Sequence, residues 1–137
     1  DASVLVKRYV KEQGSATARR LLQQYRFLSS AVAPVEVLSL VNRRRTLGEL
    51  TQRDCLAIRS RLRKDRSYWE LVEVSEVVLH QAEELAQRTG LRTLDALHLA
   101  SALTFQAASG LIVPFITADV RQRKVAETMM LNLIWVD

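Results

Sequence analysis

Phe115-Ile116-Thr117-Ala118-Asp119 is a short apolar strand that runs directly into an acid, followed by a helical segment from Val120 to Met130 and a second apolar strand from Leu133 to Val136. The apolar run begins at Ile112, but Pro114 has no N–H to give to a ladder, so pairing is expected to start at Phe115. Moving toward the N-terminus, the same alternation returns. Trp69 to Val74 reads as a strand, Ser75 caps a helix to Arg88 closed by Gly90, and Thr93 caps a helix through about Ala107. Earlier still, Phe27 to Val32 is a short strand, and Pro34 opens a helix to about Leu47 with Val35, Val37, Leu38 and Val41 on its buried side. Thr51 caps a helix to about Lys64 whose Cys55, Ile58 and Leu62 face inward. The first helix is expected over Ala16 to Gln24, after Gly14 and Ser15, with Ala18, Leu21, Leu22 and Tyr25 as its apolar stripe. Strands separated by helices predict an α/β fold, a three-layer α/β/α sandwich around a mostly parallel central sheet, formed by one domain over residues 1–137.

Composition narrows the functional classes. The 137 residues are 48% hydrophobic and 26% charged, the profile of one globular domain. The single cysteine excludes an internal disulfide, and with only His80 and His98 to join it no multi-thiolate zinc site can be assembled. Cys55 is read as a small core residue. The apolar run Leu111 to Ile116 is far too short to span a bilayer, and a reducing, cytoplasmic setting without membrane contact is expected. Sixteen of the 20 basic side chains are arginine, the residue whose planar fork suits phosphate. Between Arg43 and Arg66 nine basic residues face three acids, so this stretch outweighs the net +5 of the whole chain. It is either a phosphate-facing surface or a solvated helix pair.

Four acids share one kind of local setting: Asp1, Glu36, Asp95 and Asp119 each lie at a strand end or on the first turn of a helix, where loops gather at the carboxyl edge of a parallel sheet. For Glu36 and Asp95, helix-dipole compensation alone would account for the placement. Asp95 is set among apolar and small residues in Leu94-Asp95-Ala96-Leu97-His98-Leu99-Ala100, and burying an unpaired carboxylate there is costly. A hard divalent cation shared by the four acids would satisfy them together, and oxygen donors suit Mg²⁺ or Mn²⁺ better than zinc. Phosphodiester hydrolysis is the chemistry such a centre performs most naturally.

At these residues the chain resembles the PIN-domain ribonucleases, in particular the VapC-like toxins of toxin–antitoxin modules. Asp1-Ala2-Ser3 is similar to the family's first acidic motif and Ser30 through Glu36 to Arg43 to its second. Leu91-Arg92-Thr93-Leu94-Asp95-Ala96 with His98-Leu99-Ala100 is similar to the third, and Phe115-Ile116-Thr117-Ala118-Asp119 to the fourth. The resemblance implies that Asp1, Glu36, Asp95 and Asp119 are catalytic and coordinate Mg²⁺ or Mn²⁺, that Ser3 and Thr117 support them, and that RNA is cut endonucleolytically by a metal-bound water. It also implies a cognate antitoxin and a homodimer. The family's first strand precedes the first aspartate, so a strand ahead of Asp1 is expected. Three departures concern local geometry: Ala33 where a capping Thr or Ser is common, Met130 at a turn where glycine is common, and Pro114 in the fourth strand.

Arg43, two helical turns beyond Glu36, is a candidate phosphate contact or simply a solvated helix end. His98 is a partner for the acids or a satisfied buried histidine, and His80 is a surface residue. Trp69 and Trp135 are core or dimer contacts. Two alternatives to a ribonuclease remain: a non-catalytic RNA- or partner-binding module on the same fold, and a DNA-processing nuclease. A binding module has no use for four clustered like charges.

Overall fold

A computed structural model describes all residues from 1 to 137. Seven helices and four three-residue strands follow one another as α1 (Ala2–Tyr9), α2 (Ser15–Gln24), β1 (Leu28–Ser30), α3 (Ala33–Thr46), α4 (Gln52–Arg66), β2 (Glu70–Val72), α5 (Glu76–Thr89), α6 (Thr93–Ser109), β3 (Phe115–Thr117), α7 (Val120–Thr128) and β4 (Leu133–Trp135). The expected parallel pairing is present, in two pieces. β1 pairs with β2 across the α3–α4 crossover, with Ser29 opposite Leu71, and β3 pairs with β4 across α7, with Ile116 opposite Ile134. Ladder pairing indeed begins at Phe115, after the proline.

Several local expectations shift by a residue or more. The apolar run after Asp1 is a helix, α1, whose Ala2, Val4, Leu5 and Val6 are all buried. Helix α6 begins at Thr93 but its N-cap is Arg92 with no side-chain cap, so Thr93 does not cap it. On α3 the buried side is Ala33, Pro34, Val37 and Val41, whereas Val35 is 71% exposed and Leu38 lies near the surface. A 3.6-residue period carries 33, 37 and 41 down one side; Val35 is rotated away from it. Ala33 is already helical, and the cap position belongs to Val32, again without a side-chain bond. Met130 takes the left-handed conformation, φ 54°, that its turn demands and that glycine adopts freely.

Two large apolar clusters hold the layers together, with a third, of Val4, Ala18, Leu21 and Val136, between α1 and α2. One joins α5, α6, β3 and α7 through Val78, Leu85, Leu97, Leu99, Phe115 and Ala126; the other joins α1, α3 and α4 through Leu5, Val37, Val41, Ile58 and Leu62. Gly14, at φ 77°, opens α2 where any Cβ would run into the main-chain oxygen of Asp137. Between β1 and β3 lies a cavity of about 210 Å³ lined by Leu28, Ser29, Ser30, Phe115 and Ile116, and the buried hydroxyls of Ser29 and Ser30 have no partner.

Helix α1 is also fastened to α4 by a polar clasp. Asp65 accepts from Arg8 Nε at 2.8 Å and from Tyr9 OH at 2.9 Å. Burial works to raise the Asp65 carboxyl, but the bonds from Arg8 and Tyr9 and the charges of Arg8 and Arg61 outweigh it and hold it below the usual range. Asp65→Ala strands the Tyr9 hydroxyl and is expected to cost about 1–3 kcal/mol at pH 7 in urea unfolding. A depressed folded value means that the stability is complete above the ordinary 3.8 and is lost as pH falls through the folded value, so the difference between parent and variant should shrink by pH 3. An unchanged difference at pH 3 would show that the clasp acts through packing instead.

Candidate active site

The four predicted acids all stand at helix N-termini, and the fold brings those termini together. Asp1 caps α1, accepting from Ser3 N at 3.3 Å and Ser3 Oγ at 2.8 Å. Asp119 caps α7, accepting from the main-chain N–H groups of Arg121 at 2.7 Å and Gln122 at 3.3 Å. Glu36 and Asp95 lie in the first turns of α3 and α6. Each carboxylate thus meets the positive end of a helix dipole, which is why local sequence patterns tolerate an acid at all four places.

Long-range bonds join the four starts. The Asp1 main-chain nitrogen donates to Ile116 O at 3.1 Å, and Ala118 N donates to Ser3 Oγ at 2.9 Å, tying the start of α1 to the strand end that leads to Asp119. Ser3 thus bonds Asp1 and reaches the β3 end. Glu36 Oε2 lies 2.7 Å from His98 Nε2. Burial, first of all, lowers the His98 pKa despite its bond to Glu36, so the ring is neutral at pH 7 and donates from Nε2. His98 is thus a buried, satisfied histidine whose partner is Glu36.

Asp95 behaves as a carboxylate short of compensation. Burial raises its pKa most, the bond from Gln122 Nε2 at 3.0 Å opposes this, and the negative charges of Asp119 and Glu36 raise it further. Asp119 and Glu36 therefore both lie within electrostatic reach of Asp95. Asp119 differs: burial tends to raise its pKa, but the Arg121 guanidinium, 3.3 Å from Oδ2, and the two cap N–H groups hold it low. Arg121 is exposed, and its Nη2 makes the one guanidinium contact to the four acids.

A divalent cation fits the chemistry of this donor set. It is rich in oxygens, contains neither thiolate nor an available imidazole, and includes Asp95, whose charge lacks a cationic partner. Hydrogen bonds consume one oxygen of Glu36 and one of Asp95, and a carboxylate has about four lone-pair sites in all, so even the capping acids keep capacity. The donors are nonetheless not drawn into a finished cage: no three Asp, Glu, His or Cys side chains are arranged around a common point.

Two residues of the site escaped the sequence reading. Gln122 is 1% exposed and touches Asp95, Thr117 and Asp119 at once, and Arg121 occupies Asp119. The signal available for Gln122 was the spacing Asp119-x-x-Gln122, which matches a capping box. Thr117, expected as a support, accepts from Asp119 N at 3.0 Å and donates to Gln122 Oε1 at 3.0 Å. Arg43 is exposed in the last turn of α3. Within the basic stretch Arg44 is bound by Glu12 and Glu49, while Arg43, Arg53, Arg59, Arg63, Lys64 and Arg66 are exposed. His80 is a surface residue beside Glu84, and Trp69 packs edge-on to Phe27 at 5.2 Å.

Parallel strand pairs in a helix-rich frame, with an acid at each of four helix starts, define an α/β protein. The chain belongs to the PIN domain family: the family model matches residues 1–128. PIN domains are typically nucleases, that is, hydrolases. A chain in a toxin–antitoxin complex from Klebsiella pneumoniae shares the fold with a TM-score of 0.67 at 15% identity, over 98% of this chain and 92% of that one. No curated protein is significantly similar in sequence. No helix is long and apolar enough to cross a membrane.

Proposed function

We propose that this protein is a Mg²⁺- or Mn²⁺-dependent endoribonuclease and the toxin of a toxin–antitoxin pair, acting in the cytoplasm. The observation that carries the proposal is a PIN domain in which four helix N-termini, tied to one another by long-range hydrogen bonds, each bear one carboxylate. Asp1, Glu36, Asp95 and Asp119 would hold the cation. When bound, it supplies charge neutralisation at the scissile phosphate and acidifies water. The chain's own groups prepare the site. Ser3 and the α1 terminus orient Asp1, neutral His98 holds Glu36, and Thr117 braces the main chain at Asp119. Exposed arginines on α3 and α4, with Arg43 nearest Glu36 in sequence, attract the polyanion.

The partners follow from the same surfaces. The likeness to a chain of a toxin–antitoxin complex supports an antitoxin, and exposed Val35, Leu38, Leu47 and Leu56 on and beside α3 and α4 supply apolar area for it or for a second copy in a homodimer.

Single-stranded RNA and DNA of identical sequence, incubated with the purified protein and Mn²⁺, provide the test. Cleavage of the RNA that stops with EDTA and returns with Mn²⁺ is the expected result. Cleavage of DNA alone would make it a DNA-processing nuclease, and salt-dependent binding without cleavage would make it a binding module.

A further inference from the structure

Gln122 sits where a glutamine ordinarily reaches back to the N–H of its helix cap. It does not do so here. The cap residue's N–H, that of Asp119, is taken by Thr117 Oγ1, and the Gln122 side chain turns into the molecule at 1% exposure. A methionine would fill much the same volume without bringing polar atoms inside, so an amide at this position must use both of its ends. It does: Oε1 accepts from Thr117 Oγ1 at 3.0 Å and Nε2 donates to Asp95 Oδ1 at 3.0 Å.

The direction of this chain of bonds is dictated by donor counting. An ionised Asp95 can only accept, so the amide must present its NH₂ group there and its oxygen to Thr117. Thr117 has one hydroxyl proton, which goes to Gln122, and its lone pair therefore receives the Asp119 N–H. One relay thus runs from the cap of α7 through the end of β3 to the first turn of α6, joining two acids that are 24 residues apart in sequence.

We infer that Gln122 is a positioning residue: by holding Oδ1 of Asp95 it keeps Oδ2 available to a divalent cation and sets the α6 acid in register with the α7 acid. The inference rests on the metal-dependent reading above and extends it to a residue outside the four acids. The amide is neutral, so it orients Asp95 without cancelling the charge that attracts the cation, as an arginine or lysine in its place would.

The test is Mn²⁺ affinity without RNA, read from the electron paramagnetic resonance signal of free Mn²⁺, with circular dichroism to verify folding. Gln122→Met should fold and bind Mn²⁺ about 10–100-fold more weakly, the loss typical when a group that orients a ligand is removed. Thr117→Val, which frees the amide to rotate, should weaken binding less, and Thr117→Ser, which keeps the hydroxyl, should restore it. A purely structural role would lower the melting temperature of these variants and leave the Mn²⁺ constant unmoved. A folded Gln122→Met with the parent's Mn²⁺ constant overturns the inference. Should that variant fail to fold, equal constants for Thr117→Val and Thr117→Ser overturn it instead. Absence of Mn²⁺ binding by the parent overturns the metal reading and this inference together, an outcome separate from the other two.

Discussion

Asp95→Asn is expected to lose Mn²⁺ binding and to cut RNA at less than about one-hundredth of the parent's rate, while its metal-free form melts at the same temperature or higher. The activity loss should exceed the roughly 10–100-fold attached to groups that merely orient ligands, because the variant removes a charged donor itself. The fold should survive because Gln122 Nε2 can donate to the asparagine oxygen as it does to Oδ1. The stability gain follows from the sign of the pKa shift. Burial and the neighbouring carboxylates raise the Asp95 pKa, so ionising it opposes folding. That cost is fully present above the raised folded value and disappears as pH falls through it toward the ordinary 3.8, where a protonated aspartic acid and an asparagine are near equivalents. The melting advantage of the variant should therefore be largest near neutral pH and vanish in acid. Mn²⁺ at 100 times its dissociation constant stabilises the parent by about 2.7 kcal/mol and should leave the variant unmoved. A thermal melt series with and without Mn²⁺, run at pH 7 and pH 3.5, reads all of this. Full cleavage by the variant would remove Asp95 from the chemistry.

Leu99→Ala should produce the largest loss of stability, about 2–5 kcal/mol. Leu99 has no exposed surface and sits one helical turn beyond Asp95, in the cluster that packs α6 against α5, β3 and α7. Domains of this kind are stable by only about 5–15 kcal/mol, so this one truncation removes a large fraction of the total. At roughly 4 °C per kcal/mol for a chain of this size, the melting temperature should fall by about 8–20 °C. Because α6 also carries His98, activity should fade with temperature well before the parent's does and recover on cooling. A loss below about 1 kcal/mol in urea unfolding would mean that α6 is not the central layer the packing makes it.

Much of the frame was legible in the sequence. Ser75 and Thr51 cap helices at the expected places, Thr51 with a complete capping box to Asp54, and Gly90 ends α5 in the left-handed conformation. Pro114 delays β3 as its missing N–H requires. The errors have equally local causes. Thr93 has the right chemistry for a cap but begins the helix, with Arg92 before it, and the apolar residues of α3 outnumber the positions its buried side can hold, so Val35 was misplaced. The four acids proposed for the site are marked in the sequence by strand-end and helix-start settings, yet nothing in their spacing indicates that Arg121 engages Asp119 or that Gln122 turns inward.

By itself the sequence determined most of the helices and strands and that an acid stands near each of four element ends, because caps, dipoles and periodicity act over three or four residues. Which acids meet, and who holds them, only the tertiary structure decided. His98 reaches Glu36 across 62 residues, Gln122 reaches Asp95 across 27, and Ser3 meets Ala118 across 115. Those bonds depend on the register in which separate helices pack around a buried core, and that register is set by the fit of many side chains together rather than by any one stretch of the chain.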